Sequence, residues 1–118
     1  MSQVTDYGKQ LLRKSVEDNW KYISVVNQAD AEIFRAEVGV DTRATIIQDS
    51  VDNPVQVRVV VSGDDTEVTV SVTTVSGIKL YTQASGGTAT VTSNITDFFF
   101  TSTDDELTIN QTIEIPTI

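Results

Sequence analysis

Residues 55–75, VQVRVVVSGDDTEVTVSVTTV, are the stretch on which the fold turns. Val55, Val57, Val59 and Val61 alternate with Gln56, Arg58 and Val60; Val68, Val70 and Val72 alternate with Glu67, Thr69 and Ser71. Successive side chains on a strand point to opposite faces, so each run sets a valine row on one face. Between the runs stands Ser62-Gly63-Asp64-Asp65-Thr66, where glycine and aspartate suit a tight reversal. The pattern predicts an antiparallel β-hairpin with Val59 facing the core. A lone hairpin is marginal in water, so other runs must cover its valine face.

Such runs flank it on both sides. Upstream, Tyr22-Ile23-Ser24-Val25-Val26 reads as a strand bounded by Asn27-Gln28. Residues 31–38 hold Ile33 and Phe34 and end at Gly39; propensity allows a helix there, but the β-rich neighbours favour a strand. Residues 42–48 carry Ala44, Ile46 and Ile47, and residues 49–54 form a turn closed by Pro54. Downstream, Ser76-Gly77 is read as a break, followed by a strand with Ile78, Leu80 and Thr82 in one row. Ser85-Gly86-Gly87 reverses the chain into a weak strand at 88–91. Residues 95–101 form a strand in which Phe98, Phe99 and Phe100 must point to both faces, so both are covered or one ring lies exposed. After a turn at Thr103-Asp104-Asp105, the apolar row of Leu107, Ile109, Ile113 and Ile115 runs to Pro116, interrupted at Gln111.

Roughly seven to nine short strands at this turn spacing predict a mainly β chain, an antiparallel β-sandwich or jelly roll. Helical spacing is confined to residues 4–20, where Val4, Tyr7, Leu11, Leu12, Val16 and Trp20 recur at intervals of three and four. Thr5 or Asp6 is placed to cap this amphipathic helix. The expected organisation is a helical arm over 1–20 and a β-sandwich domain over 21–118.

The chain has 118 residues, which suits one domain, and a formal charge of −9. An acidic balance argues against nucleic acid as a partner. The opening Met1-Ser2-Gln3-Val4-Thr5-Asp6 lacks the apolar run of a secretory signal, and no run is long enough for a transmembrane helix, so no membrane partner is expected. There is no cysteine and no histidine, which removes thiolate chemistry, the usual general base and the usual zinc ligand. Four of the eight basic residues, Lys9, Arg13, Lys14 and Lys21, lie in the first twenty-one positions, the pattern of an ordinary solvated helix or, alternatively, of an arm that docks on an acidic surface.

Three constellations bear on chemistry. The paired carboxylates at Asp64-Asp65 and Asp104-Asp105-Glu106 could serve a glycosidase, but both sit in turns, where aspartate is common for backbone reasons. Asp64, Asp65 and Glu67, or Asp104, Asp105 and Glu106, could instead ligate calcium, without the spacing of a specific calcium loop. Trp20, Tyr22 and Tyr81 could stack on a sugar, or serve as core and interface anchors. The expectation is no catalytic residue, no metal and no cofactor.

An acidic β domain without cysteine or histidine, with the arm over 4–20 and the valine-threonine strands over 55–75, resembles the small virion proteins of tailed bacteriophages. These include capsid decoration (cement) proteins and tail or baseplate components. The resemblance is one of architecture and composition. It implies a non-enzymatic structural protein of the virion, made in the host cytoplasm. It also implies a homo-oligomer in contact with another virion protein through aromatic and aliphatic anchors. The candidate interface residues are Tyr7, Leu11, Leu12, Val16 and Trp20; the competing reading has the helix cap an open sheet face of its own domain. The alternative is a carbohydrate-binding or adhesin-like β-sandwich, calcium-dependent or not.

Overall fold

Among the described residues, valine-rich alternation and frequent turns produce seven strands behind one helix. The computed structural model of the chain describes residues 5–48 and 55–113. Val4, the 49–54 turn, and Ile115 with Pro116 lie outside the described residues. The elements run α1 (Asp6–Asn19), β1 (Tyr22–Val26), β2 (Glu32–Glu37), β3 (Ala44–Gln48), β4 (Val55–Ser62), β5 (Thr74–Tyr81), β6 (Val91–Phe99) and β7 (Glu106–Ile113). They form two antiparallel sheets, ordered β2-β1-β5-β6 and β3-β4-β7, which pack as a β-sandwich. Ile23, Val25, Phe34, Val75, Ile78 and Leu80 meet Ala44, Ile109 and Val55, Val57, Val59 and Val61 of β4 in one core.

The parity read for β4 holds: Val55, Val57, Val59 and Val61 are buried and Arg58 is exposed. The predicted hairpin does not form. β4 pairs with β3 and β7, and the second valine run is not a strand. Residues 63–73 instead carry the chain from one sheet to the other. Their backbone groups are taken by local partners before a ladder can claim them. The Asp65 N–H donates to the Ser62 carbonyl (3.0 Å), that of Val68 to Asp65 (3.1 Å), and those of Val72 and Thr73 to Thr69 (3.1 and 2.9 Å). Ser71 adopts φ 66° and donates to the Phe100 carbonyl (2.8 Å). Val68 is buried, whereas Val72 is exposed. Valine and threonine fit a pleated surface but do not oblige one.

Two further expectations are corrected. Ser76-Gly77 does not break the chain; it lies inside β5, where the ladder to β6 shifts register between Val75 and Gly77. A Cβ at Gly77 would stand 2.5 Å from the Ser93 carbonyl oxygen, so glycine marks a bulge with close backbone approach. Residues 88–90 are not a strand, and β6 begins at Val91. Of the three phenylalanines, Phe100 is fully buried and meets Phe98 edge-to-face with centroids 4.9 Å apart, while Phe99 is exposed.

Thr5 caps α1, its Oγ1 accepting the Gly8 N–H at 3.1 Å. The helix ends where the Trp20 N–H donates to the Val16 carbonyl (2.8 Å). Its C-terminal half enters the body: Val16 belongs to the core and Trp20 packs against it. The molecule measures 53 × 26 × 25 Å along its principal axes.

Candidate interaction surface

The helical stripe divides into two parts. Val16 and Arg13 are 9% and 4% exposed, and Arg13 lies 3.9 Å from Glu17 across one turn. Tyr7, Leu11 and Leu12 are 70%, 52% and 42% exposed. Residues three and four apart share a face, so Arg13, Val16, Glu17 and Trp20 form the anchored side. Tyr7 and Leu11, one turn apart, form an apolar face that the described residues leave uncovered; Leu12, one turn before Val16, is exposed at the border of the anchored side. Of the five residues expected at a partner interface, Val16 and Trp20 serve the chain's own core, and Tyr7, Leu11 and Leu12 face outward.

The acidic turns are built by their own hydrogen bonds. In Ser62-Gly63-Asp64-Asp65 the Asp65 carboxylate accepts the Ser62 N–H (2.9 Å), and the Ser62 hydroxyl accepts the Asp64 N–H (3.2 Å). In Ser102-Thr103-Asp104-Asp105 the same bonds recur at 3.1 Å each. The two turns pack together. The Gly63 N–H donates to the Asp105 carbonyl (2.8 Å), and a Cβ on Gly63 would collide with the Ser102 carbonyl oxygen. The repeated Ser-x-Asp-Asp pattern is visible in the sequence as a spacing, but only when the two turns are compared with each other. Backbone N–H donation from Thr101 holds the Asp105 carboxyl below the usual carboxylate range, against a smaller opposing push from burial; the Thr101 hydroxyl and the Ser102 N–H add to the lowering.

Arg43 gathers Asp41, Asp65 and Glu67. Its guanidinium donates to Asp41 (2.8 and 3.0 Å) and Glu67 (3.0 and 3.3 Å), lies 3.7 Å from Asp65, and stacks over the Phe34 ring at 3.9 Å. Those hydrogen bonds lower the pKa of Asp41 and of Glu67 and raise that of Arg43. Glu67 and Asp65, two of the three acids that the calcium alternative would use, thus face an arginine. Among the described residues no group of three or more Asp or Glu side chains is arranged to hold a metal ion.

The three aromatics do not make one platform. Tyr22 and Tyr81 are direct cross-strand neighbours, but Arg35 lies over the Tyr81 ring at 3.7 Å and Trp20 packs on the core. Arg35 also donates to Glu32 (2.7 Å) and to the carbonyls of Gln83 and Gly86 (2.9 Å each), tying β2 to the β5–β6 loop. An open cleft of about 390 Å³ lies between the β1–β2 turn and the 63–73 connection. Its polar atoms hold its own walls. Asn27 Oδ1 accepts the N–H groups of Ala29 and Ala31 (2.9 and 3.0 Å), Glu32 accepts the Ser24 hydroxyl (2.7 Å), and Thr73 Oγ1 accepts the Thr69 N–H (2.9 Å). No helix among the described residues is long and apolar enough to cross a membrane. Comparison with protein-family models, curated proteins and solved structures finds no match.

Proposed function

We propose that this chain is a non-enzymatic structural component of a tailed-bacteriophage virion, decorating the capsid or forming part of the tail. It acts through self-association and through contact with another virion protein. One observation carries the docking part of this reading: Tyr7, Leu11 and Leu12 are exposed on a helix whose other end is fixed in the core. A row of apolar side chains on a rigid mount is an interaction surface, and its area is stabilised once a partner removes it from water. Engagement of Asp41, Asp65, Glu67 and Asp105 within the fold supports a structural over a catalytic use of the acids. The viral assignment rests on the likeness in architecture and composition.

The test compares the parent with a Leu11→Ser/Leu12→Ser chain. Light scattering should show the parent as an assembly larger than two chains, and the variant should lose mass while keeping its melting temperature. The parent should also bind phage particles assembled without it, and the variant should not. A parent that stays monomeric and binds no virion protein overturns the proposal.

A further inference from the structure

The strands run between two ends of unlike charge. Val16 and Trp20 fasten α1 beside Val38, Val55 and Ile113, where β1 and β4 begin and β2 and β7 finish. At the other end lie residues 27–32, 62–74 and 97–106, which hold nine of the seventeen acids and no lysine or arginine. Arg35, Arg43 and Lys79 reach in to Glu32, Glu67 and Asp30, and the other acids keep that end negative. The cleft of about 390 Å³ opens here. Glu32 and Glu67 line it, each holding its arginine while part of the carboxylate side chain stays exposed. Val72 in its wall is exposed, and so is Phe99, the cross-strand partner of the wall residue Thr74. This end therefore sets apolar side chains among carboxylates.

The helix offers the complement. Tyr7, Leu11 and Lys14 fall at spacings of four and three, so they share its outward face. Lys14 pairs with Asp18 at 3.4 Å, with both side chains exposed. Such a pair contributes little, so the ammonium can exchange that carboxylate for another. We propose that the arm of one copy docks in the acidic cleft of the next, with Tyr7 and Leu11 against Val72 and Lys14 toward Glu32 and Glu67. This rests on the self-association in the proposed function and assigns its two surfaces. Charge selects the pairing. Residues 1–21 carry four bases and three acids, whereas residues 22–118 carry four bases and fourteen acids. Two acidic ends repel each other, and an arm set on an acidic end is drawn to it. The cleft has room for a few side chains and not for a whole helix, which suits an arm presenting one row from an anchored mount. Because arm and cleft lie at opposite ends, each docked copy keeps one of them unused. The contact is head-to-tail and extends to a ring or a filament.

Mixing two variants tests it. Leu11→Ser/Leu12→Ser keeps the cleft and loses the arm surface. Ala29→Arg/Val72→Arg, at two exposed positions of the cleft wall, keeps the arm and loses the cleft. Light scattering should find each alone as a monomer and the equimolar mixture as a heterodimer, because only one contact can form. If Ala29→Arg/Val72→Arg assembles like the parent, the cleft is overturned and the self-association stands. Two monomers that fail to combine overturn the head-to-tail contact. A parent that stays monomeric yet binds phage particles makes the occupant another virion protein, and also overturns it. The parent supplies a readout should the arginines impair folding. Carbodiimide coupling in a mixture of isotopically labelled and unlabelled chains should join Lys14 of one chain to Glu32 or Glu67 of another. Links between chains that avoid both glutamates overturn the proposal.

Discussion

Arg43 shows how one side chain settles several questions of chemistry. It holds Asp41 and Glu67 by hydrogen bonds, faces Asp65, and covers Phe34. Arg43→Met would keep the aliphatic cover and leave three carboxylates facing one another, at a cost of about 2 kcal/mol. The sign of the shifts sets the pH dependence. The folded pKa values of Asp41 and Glu67 lie below their unfolded values, chiefly through Arg43. Their stabilisation is therefore complete above the unfolded carboxylate pKa and fades as pH falls through the folded one. Thermal melts over the acid range should show the parent losing stability. Arg43→Met should start lower at neutral pH and fall less steeply, because protonation relieves its repulsion. Parallel curves would refute the role given to Arg43. The same engagement bears on calcium: millimolar calcium should move the melting temperature little, since stabilisation depends on the ratio of free ligand to dissociation constant. A large calcium-dependent rise, lost in Asp64→Asn or Asp104→Asn, would restore the metal reading.

Among the elements, β4 is the one whose environment the alternation of valines makes legible. Val59 is fully buried in the central strand of its sheet, so Val59→Asp places an unpaired charge in the core and should abolish the cooperative transition. A parent-like melting curve would refute that burial. The segment after β4 is not legible in the same way, because residues 68–72 have strand composition while their partners lie elsewhere. Thr69 takes the N–H groups of Val72 and Thr73, and Ser71 pairs with Phe100, some thirty residues downstream. Propensity reports fit to a pleat, and period alone cannot say which sheet receives a strand. Gly77 resembles a break for a related reason: a glycine in a strand and a glycine in a turn look alike until the neighbouring backbone is known. Gly63 gives a test of the connection. Its missing Cβ lets the Ser62–Asp65 turn sit on the Ser102–Asp105 turn. Gly63→Ala must push a backbone carbonyl aside and should cost about 2 kcal/mol, whereas Gly39→Ala meets no atom and suffers from its positive φ alone. Equal melting temperatures for Gly63→Ala and the parent would deny the stacked turns their role.

At the scale of the molecule the question is what the helix does for the body and what it offers beyond it. The sequence displays one apolar stripe and cannot show that it serves two purposes, because periodicity gives the face of a helix and not the point where the helix meets its sheet. Val16 lies in the core and Trp20 beside it, while Tyr7, Leu11 and Leu12 stay outside. Deleting residues 1–18 therefore removes the outward part together with Val16 and leaves Trp20. The seven strands keep their ladders and almost all of the core, so a folded β domain should remain. Losing the burial of Val16 alone should lower its stability by about 2 kcal/mol. Leu11→Ser/Leu12→Ser removes only the outward part and should leave stability unchanged while the assembly is lost. Circular dichroism melts and light scattering on the two proteins separate the effects. If the truncated chain fails to fold, the C-terminal half of the helix is indispensable to the sandwich. If the double serine variant melts like the truncation, Leu11 and Leu12 support the body, and the outward face is not a docking surface.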